Sequence, residues 1–145
     1  MLAIRILLII SIIWTSNAGI TPCIEGQKLH NTDNGAIYLC IDRKLRHIPN
    51  PTTYNNLFNA WTYTNIVTAT FNLYAQDSPL VNGAVLFKGS GPAVYLTDNS
   101  GSGATKKRWI TNPTAFNKYD FDWAKINTYP DSIVNAIPTG NNING

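Results

Sequence analysis

The sequence predicts an α+β fold, mainly strand, built from two tandem copies of one unit. Each copy is expected to form a small antiparallel hairpin sheet with one or two short helices. Three observations predict this. Gly26, Gly83 and Gly140 fall 57 residues apart and carry matching segments with them. Runs of β-branched and aromatic residues alternate with Gly- and Pro-rich punctuation, the pattern of short strands joined by turns. An Asn-Pro pair stands at the same place in each copy, where Asn caps a helix and Pro opens it.

The elements follow in chain order. Leu29 matches Leu86, and Ala36-Ile37-Tyr38-Leu39 matches Ala93-Val94-Tyr95-Leu96. In the second copy, Ala84 to Lys88 and Val94 to Thr97 read as strands separated by the turn Gly89-Ser90-Gly91-Pro92. Lys107 to Thr111 reads as a third strand, reached through a tip enlarged by five residues around Ser100 to Ala104. The first copy closes the same hairpin tightly near Asp42 to Lys44. Past the tip the offset becomes 62, aligning Arg46 with Arg108, Asn50-Pro51-Thr52 with Asn112-Pro113-Thr114, and Trp61 with Trp123. The register is expected to return to 57 before Gly140. Short helices should start at Pro51 and Pro113, and a last one should span Asp131 to Ile137. Trp61 and Trp123 follow a helix and are expected to pack back into the core.

The first residues read as a secretory signal: a charged start, an apolar run of Leu7 to Ile13 broken only by Ser11, and the small-residue end Ser16-Asn17-Ala18. The expected organisation is a signal at 1–18, repeat 1 at 19–82 and repeat 2 at 83–145. The apolar run is too short to span a bilayer, and no later segment approaches that length. A unit of this size is marginal alone, so the copies should pack together.

Without Arg5 the chain has ten basic and eight acidic residues, and no basic field suggests nucleic acid as a partner. The pair Cys23 and Cys40 is expected to form a disulfide in an oxidising compartment. Their counterparts at 57 residues are Leu80 and Thr97, so the second copy should hold the same contact without the bond. Asn50-Pro-Thr and Asn112-Pro-Thr fail as glycosylation sites because proline occupies the middle position.

The segments Gly89-Ser90-Gly91-Pro92-Ala93-Val94-Tyr95-Leu96, Lys107-Arg108-Trp109-Ile110 and Phe116 to Trp123 resemble a tandem extracellular repeat family. Its pattern runs GSGPxVYL, a hairpin tip, KRxI, then FxxYxFxW. That family serves as an accessory module in secreted and cell-envelope proteins, sometimes beside wall-degrading enzymes. The resemblance implies a non-catalytic ancillary role and carries over no functional residue. It covers nearly all of the second copy. The first departs at His30 to Gly35 and at His47, which stands opposite Trp109.

Catalytic chemistry is not indicated. His30 and His47 align with Phe87 and Trp109, so both read as packing residues. Asp120 and Asp122 flank Phe121 and read as a polar edge rather than a glycosidase pair. Gly89-Ser90-Gly91 lacks the Lys-Ser/Thr of a phosphate loop. No metal or cofactor is expected. The candidate ligand contacts are Tyr38, Arg46, Tyr95, Arg108 and Trp109, because rings stack on sugar faces and guanidinium forks hold carboxylate or sulfate. Two functions stay open: a secreted binding module for a glycan or wall polymer, and an extracellular structural or protein-interaction protein.

Overall fold

The computed structural model describes residues 19–99 and 104–145. The expected signal, and the enlarged tip from Ser100 to Gly103, lie outside the described residues. Repeat 1 contains β1 (Lys28–Asn31), β2 (Ile37–Ile41), β3 (Lys44–His47), α1 (Pro51–Leu57), β4 (Thr64–Ile66) and α2 (Thr68–Phe71). Repeat 2 contains β5 (Leu86–Lys88), β6 (Val94–Asp98), β7 (Lys106–Ile110), α3 (Pro113–Lys118), a 3-10 turn at Trp123–Lys125, β8 (Asn127–Thr128) and α4 (Asp131–Ala136).

The two sheets have the same order, β3-β2-β1-β4 and β7-β6-β5-β8. The hairpin strands pair antiparallel, as the turns dictate. The fourth strand of each sheet is parallel to the first. Each sheet is therefore mixed and four-stranded, larger than a simple hairpin. The chain leaves the hairpin, passes through a helix, and returns beside its own first strand in the same direction.

The helix starts form as the Asn-Pro pairs require. Asn50 Oδ1 accepts from the Thr53 N–H at 2.8 Å, and Asn112 Oδ1 from the Ala115 N–H at 2.8 Å. Each such cap contributes about 1 kcal/mol.

The structural register corrects the sequence alignment at both ends of the unit. Leu39 faces Lys28 while Leu96 faces Leu86, so β1 and β5 correspond at an offset of 58. Leu29 thus matches Phe87, and His30 matches Lys88. After the tryptophans a further residue enters, and β4 corresponds to β8 at 63. The offset stays there to the end: Asp77 N–H donates to Leu45 O as Gly140 N–H donates to Lys107 O. Gly140 is the counterpart of Asp77, not of Gly83.

Cys23 and Cys40 are disulfide-bonded, with Cα atoms 6.0 Å apart. They form a small outer cluster of repeat 1 with Leu29, Leu45 and Phe71. Repeat 2 does not reproduce that contact. Leu80 packs in the main core, and Thr97 Oγ1 accepts from the Val85 N–H at 2.8 Å. At the position of Leu45 stands Lys107, whose Nζ donates to the Val134 carbonyl.

The main core is shared. Leu39, Ile41, Tyr54, Leu57 and Phe58 of repeat 1 join Leu86, Leu96, Phe116, Tyr119 and Phe121 of repeat 2 in one buried cluster. The contacts between repeats are reciprocal. Arg46 reaches Asn99, and its counterpart Arg108 reaches Asp42, which is the counterpart of Asn99. The turn at Gly26 lies against Lys118, and Asn56, the counterpart of Lys118, donates to Ala84 O at the start of repeat 2. When residue i meets j′ and i′ meets j, the two units are related by a two-fold axis rather than by a shift. The repeats therefore form a closed pseudo-symmetric pair.

Candidate binding grooves

The guanidiniums of Arg46 and Arg108 lie at this axis, fully buried. Both donate through Nη1 to Oδ2 of buried Asp98, at 2.5 and 3.1 Å. Arg46 also donates to the carbonyls of Ser78 and Pro79 and to Asn99 Oδ1. Arg108 donates to the carbonyls of Asn141 and Asn142 and to Asp42 Oδ1. Burial works against the Arg108 cation, but its bonds to Asp42 and Asp98 prevail and raise its pKa. These arginines hold the repeats together and, being fully buried, have no surface open to a ligand, which corrects their expected place among the ligand contacts.

The other expected contacts divide. Tyr38 is half-buried, its ring 4.5 Å from Phe71 and 5.4 Å from His47. Tyr95 sits between Phe87 and Trp109 in strand register, its ring 5.6 Å from Phe87. Trp109 is exposed. Trp61 and Trp123, expected in the core, are 47% and 49% exposed. The core place beside each is already filled by Tyr54 or Phe116 from the preceding helix. The tryptophans lie over these rings instead, at 4.2 Å and 14° for Trp61 on Tyr54, and 3.9 Å and 27° for Trp123 on Phe116. Trp61 Nε1 donates to Asn55 Oδ1 at 3.0 Å, and Trp123 Nε1 to Asn117 Oδ1 at 2.9 Å. Each indole is fixed in plane and tilt, with part of its surface open.

Each tryptophan forms one wall of a groove. The groove of repeat 1, about 180 Å³, lies between Trp61, His47, Ile37 and the start of α1. The groove of repeat 2, about 360 Å³, lies between Trp123, Trp109, Val94 and the start of α3. Every residue lining the first has its repeat counterpart lining the second: Ile37 and Val94, His47 and Trp109, Asn50 and Asn112, Tyr54 and Phe116, Trp61 and Trp123, with the intervening loop residues. His47 is the sole titratable group in the first apart from the tyrosine phenol, and the second contains none. Burial lowers the His47 pKa, keeping the ring neutral at neutral pH. Tyr54 is raised, mainly by burial, and its hydroxyl donates to Ala60 O.

The remaining polar candidates serve the fold. Asp120 accepts from Lys28 Nζ at 2.6 Å. Asp122 Oδ1 accepts from the Ala124 N–H. His30 Nδ1 pairs with Asn65 Oδ1 and its ring meets Tyr63. Among the described residues no three His, Cys, Asp or Glu side chains gather as a metal site would.

The fold and grooves define a pseudo-two-fold pair of mixed sheets carrying two aromatic clefts. No family model, no curated protein and no solved structure matches this chain. Among the described residues no helix is long and apolar enough to cross a membrane. The sequence offered one overlooked signal for the site: Asn55 precedes Trp61, and Asn117 precedes Trp123, by the same six positions.

Proposed function

We propose that the protein is a secreted, non-enzymatic module that binds an uncharged glycan or wall polymer through its two grooves. The observation that carries this reading is the positional identity of the two grooves, each walled by an exposed tryptophan fixed against an aromatic floor. A flat indole suits the C–H side of a pyranose ring. Its nitrogen, which a peptide carbonyl would use, is already donated to asparagine. The absence of Asp, Glu, Lys and Arg from both linings favours neutral sugars over uronate or sulfate. With both arginines locked on Asp98, the acidic-glycan version of the reading loses its support.

Retention on insoluble cellulose, mannan, xylan and chitin, with pectate and heparin as charged controls, tests this. Wild type should be retained by a neutral polymer and the Trp61→Ala/Trp123→Ala double variant should not, with unchanged circular dichroism. Retention by none of them, with co-purification of an extracellular protein, would replace this reading with a protein-interaction role.

A further inference from the structure

We infer that the two grooves hold two separate polymer strands, so that one molecule cross-links its ligand; this rests on the glycan reading above. The argument is geometric. The grooves are related by the two-fold that the Arg46–Asn99 and Arg108–Asp42 contacts establish. A two-fold displaces a site only at right angles to its axis, and it reverses every direction lying in that plane. Polysaccharide strands have polarity. A strand running straight from one groove to the other would meet the second reversed. A strand lying along the axis would have to double back and would again arrive reversed. Equivalent grooves therefore select two strands, or two distant segments of one strand.

A closed pair differs here from an open tandem array. In an array related by translation, successive sites meet one strand in the same sense, and tethering strengthens attachment to that strand. In a two-fold pair, the same duplication bridges strands. The grooves need not be equal. His47 replaces the second indole in repeat 1, and that groove has the smaller volume. The repeat 2 groove should be the tighter, and the repeat 1 groove should set the strength of the bridge.

The test uses the full chain with a panel of soluble neutral polysaccharides (β-glucan, galactomannan and arabinoxylan), their hexasaccharides, and chitin hexasaccharide. Titration calorimetry should give two hexasaccharides per protein, falling to one in Trp61→Ala and in Trp123→Ala. Light scattering with the long polymer should rise and then fall as protein is added, passing through an equivalence zone. Each single variant should still bind yet produce no such rise. The inference is overturned if the polymer binds without cross-linking, or if single variants cross-link as wild type does. Failure of every polymer and hexasaccharide to bind would sink the glycan reading itself, and the bridging role with it.

Discussion

Replacing Asp98 with Asn probes the centre of the molecule. The carboxylate is fully buried and accepts from two fully buried guanidiniums. The amide keeps the shape but removes the charge. Arg108 retains Asp42, whose side chain is 48% exposed. Arg46 retains only neutral acceptors: two carbonyls and the Asn99 amide. Breaking a buried pair by neutralising one partner costs about 3–5 kcal/mol, because the other charge stays in a poorly solvating place. A domain of this kind has a total stability of about 5–15 kcal/mol, so the loss is a large share. With a urea slope of about 2 kcal/mol/M, the unfolding midpoint should fall by about 2 M. Asp42→Asn is the control; its half-exposed carboxylate should cost about 1 kcal/mol or less. Urea unfolding followed by tryptophan fluorescence measures both. A cost for Asp98→Asn no greater than that for Asp42→Asn would refute the claim that this carboxylate holds the repeats together.

Two further outcomes follow from local geometry. Gly26 and Gly83 have nearly the same backbone, at φ +80 and +74, but a Cβ at Gly26 would lie 2.1 Å from the Lys118 carbonyl oxygen, whereas one at Gly83 meets nothing within 4 Å. Gly83→Ala should therefore cost about 1–2 kcal/mol from the left-handed conformation alone and Gly26→Ala clearly more, by urea unfolding; equal costs would deny the close approach of the repeats. Asp131 is lowered from its ordinary 3.8 by the Ser90 hydroxyl and N–H, and Asp33 from the same value by the Thr68 N–H and hydroxyl. A depressed carboxyl contributes stability that is present above the unfolded pKa and lost as pH falls through the folded one. The melting temperature of wild type should therefore drop more steeply below about pH 4 than that of the Asp33→Asn/Asp131→Asn variant.

The legible parts of the fold were those that local chemistry sets. Asn50-Pro51 and Asn112-Pro113 start helices whatever surrounds them, and the β6–β7 hairpin follows from its flanking strands. The parallel strands β4 and β8 carry no such signal. They are two or three residues long, and what makes them strands is pairing with β1 and β5 across the whole unit. The register slip at β1 was hidden because Leu86 and Phe87 are both apolar and either could align with Leu29.

The site is not legible where residue type does not fix location. Arginine is rarely buried without a partner, and the side-chain partners of Arg46 lie on the other repeat, 52 and 53 positions away. No local pattern announces them. Tryptophan after a helix reads as core, yet Tyr54 and Phe116 had already filled that place. What identifies Trp61 and Trp123 as surface features is a pairing with Asn55 and Asn117, visible only once the nitrogen has to be satisfied outside the core.

A two-fold pair made from one chain has a problem at its axis: a residue near it lies close to its own counterpart. Ile41 and Asp98 are counterparts at 57 residues, and they differ completely. Two isoleucines there would leave the two cations with one carboxylate, Asp42, besides neutral acceptors. Two aspartates would add a second buried carboxylate beside the first, a like-charge contact that disfavours ionisation of both. One aspartate, shared by Arg46 and Arg108, serves both guanidiniums. The counterparts Asp42 and Asn99 diverge to match, so that two cations face two carboxylates. Exchange of Ile41 and Asp98 between the repeats would preserve this charge count, which makes the Ile41→Asp/Asp98→Ile chain a direct check on the symmetry. If the repeats are related as described, the double variant should recover much of the stability lost in Asp98→Ile alone, measured by urea unfolding. If the single and double variants are equally unstable, the two positions do not share an axis.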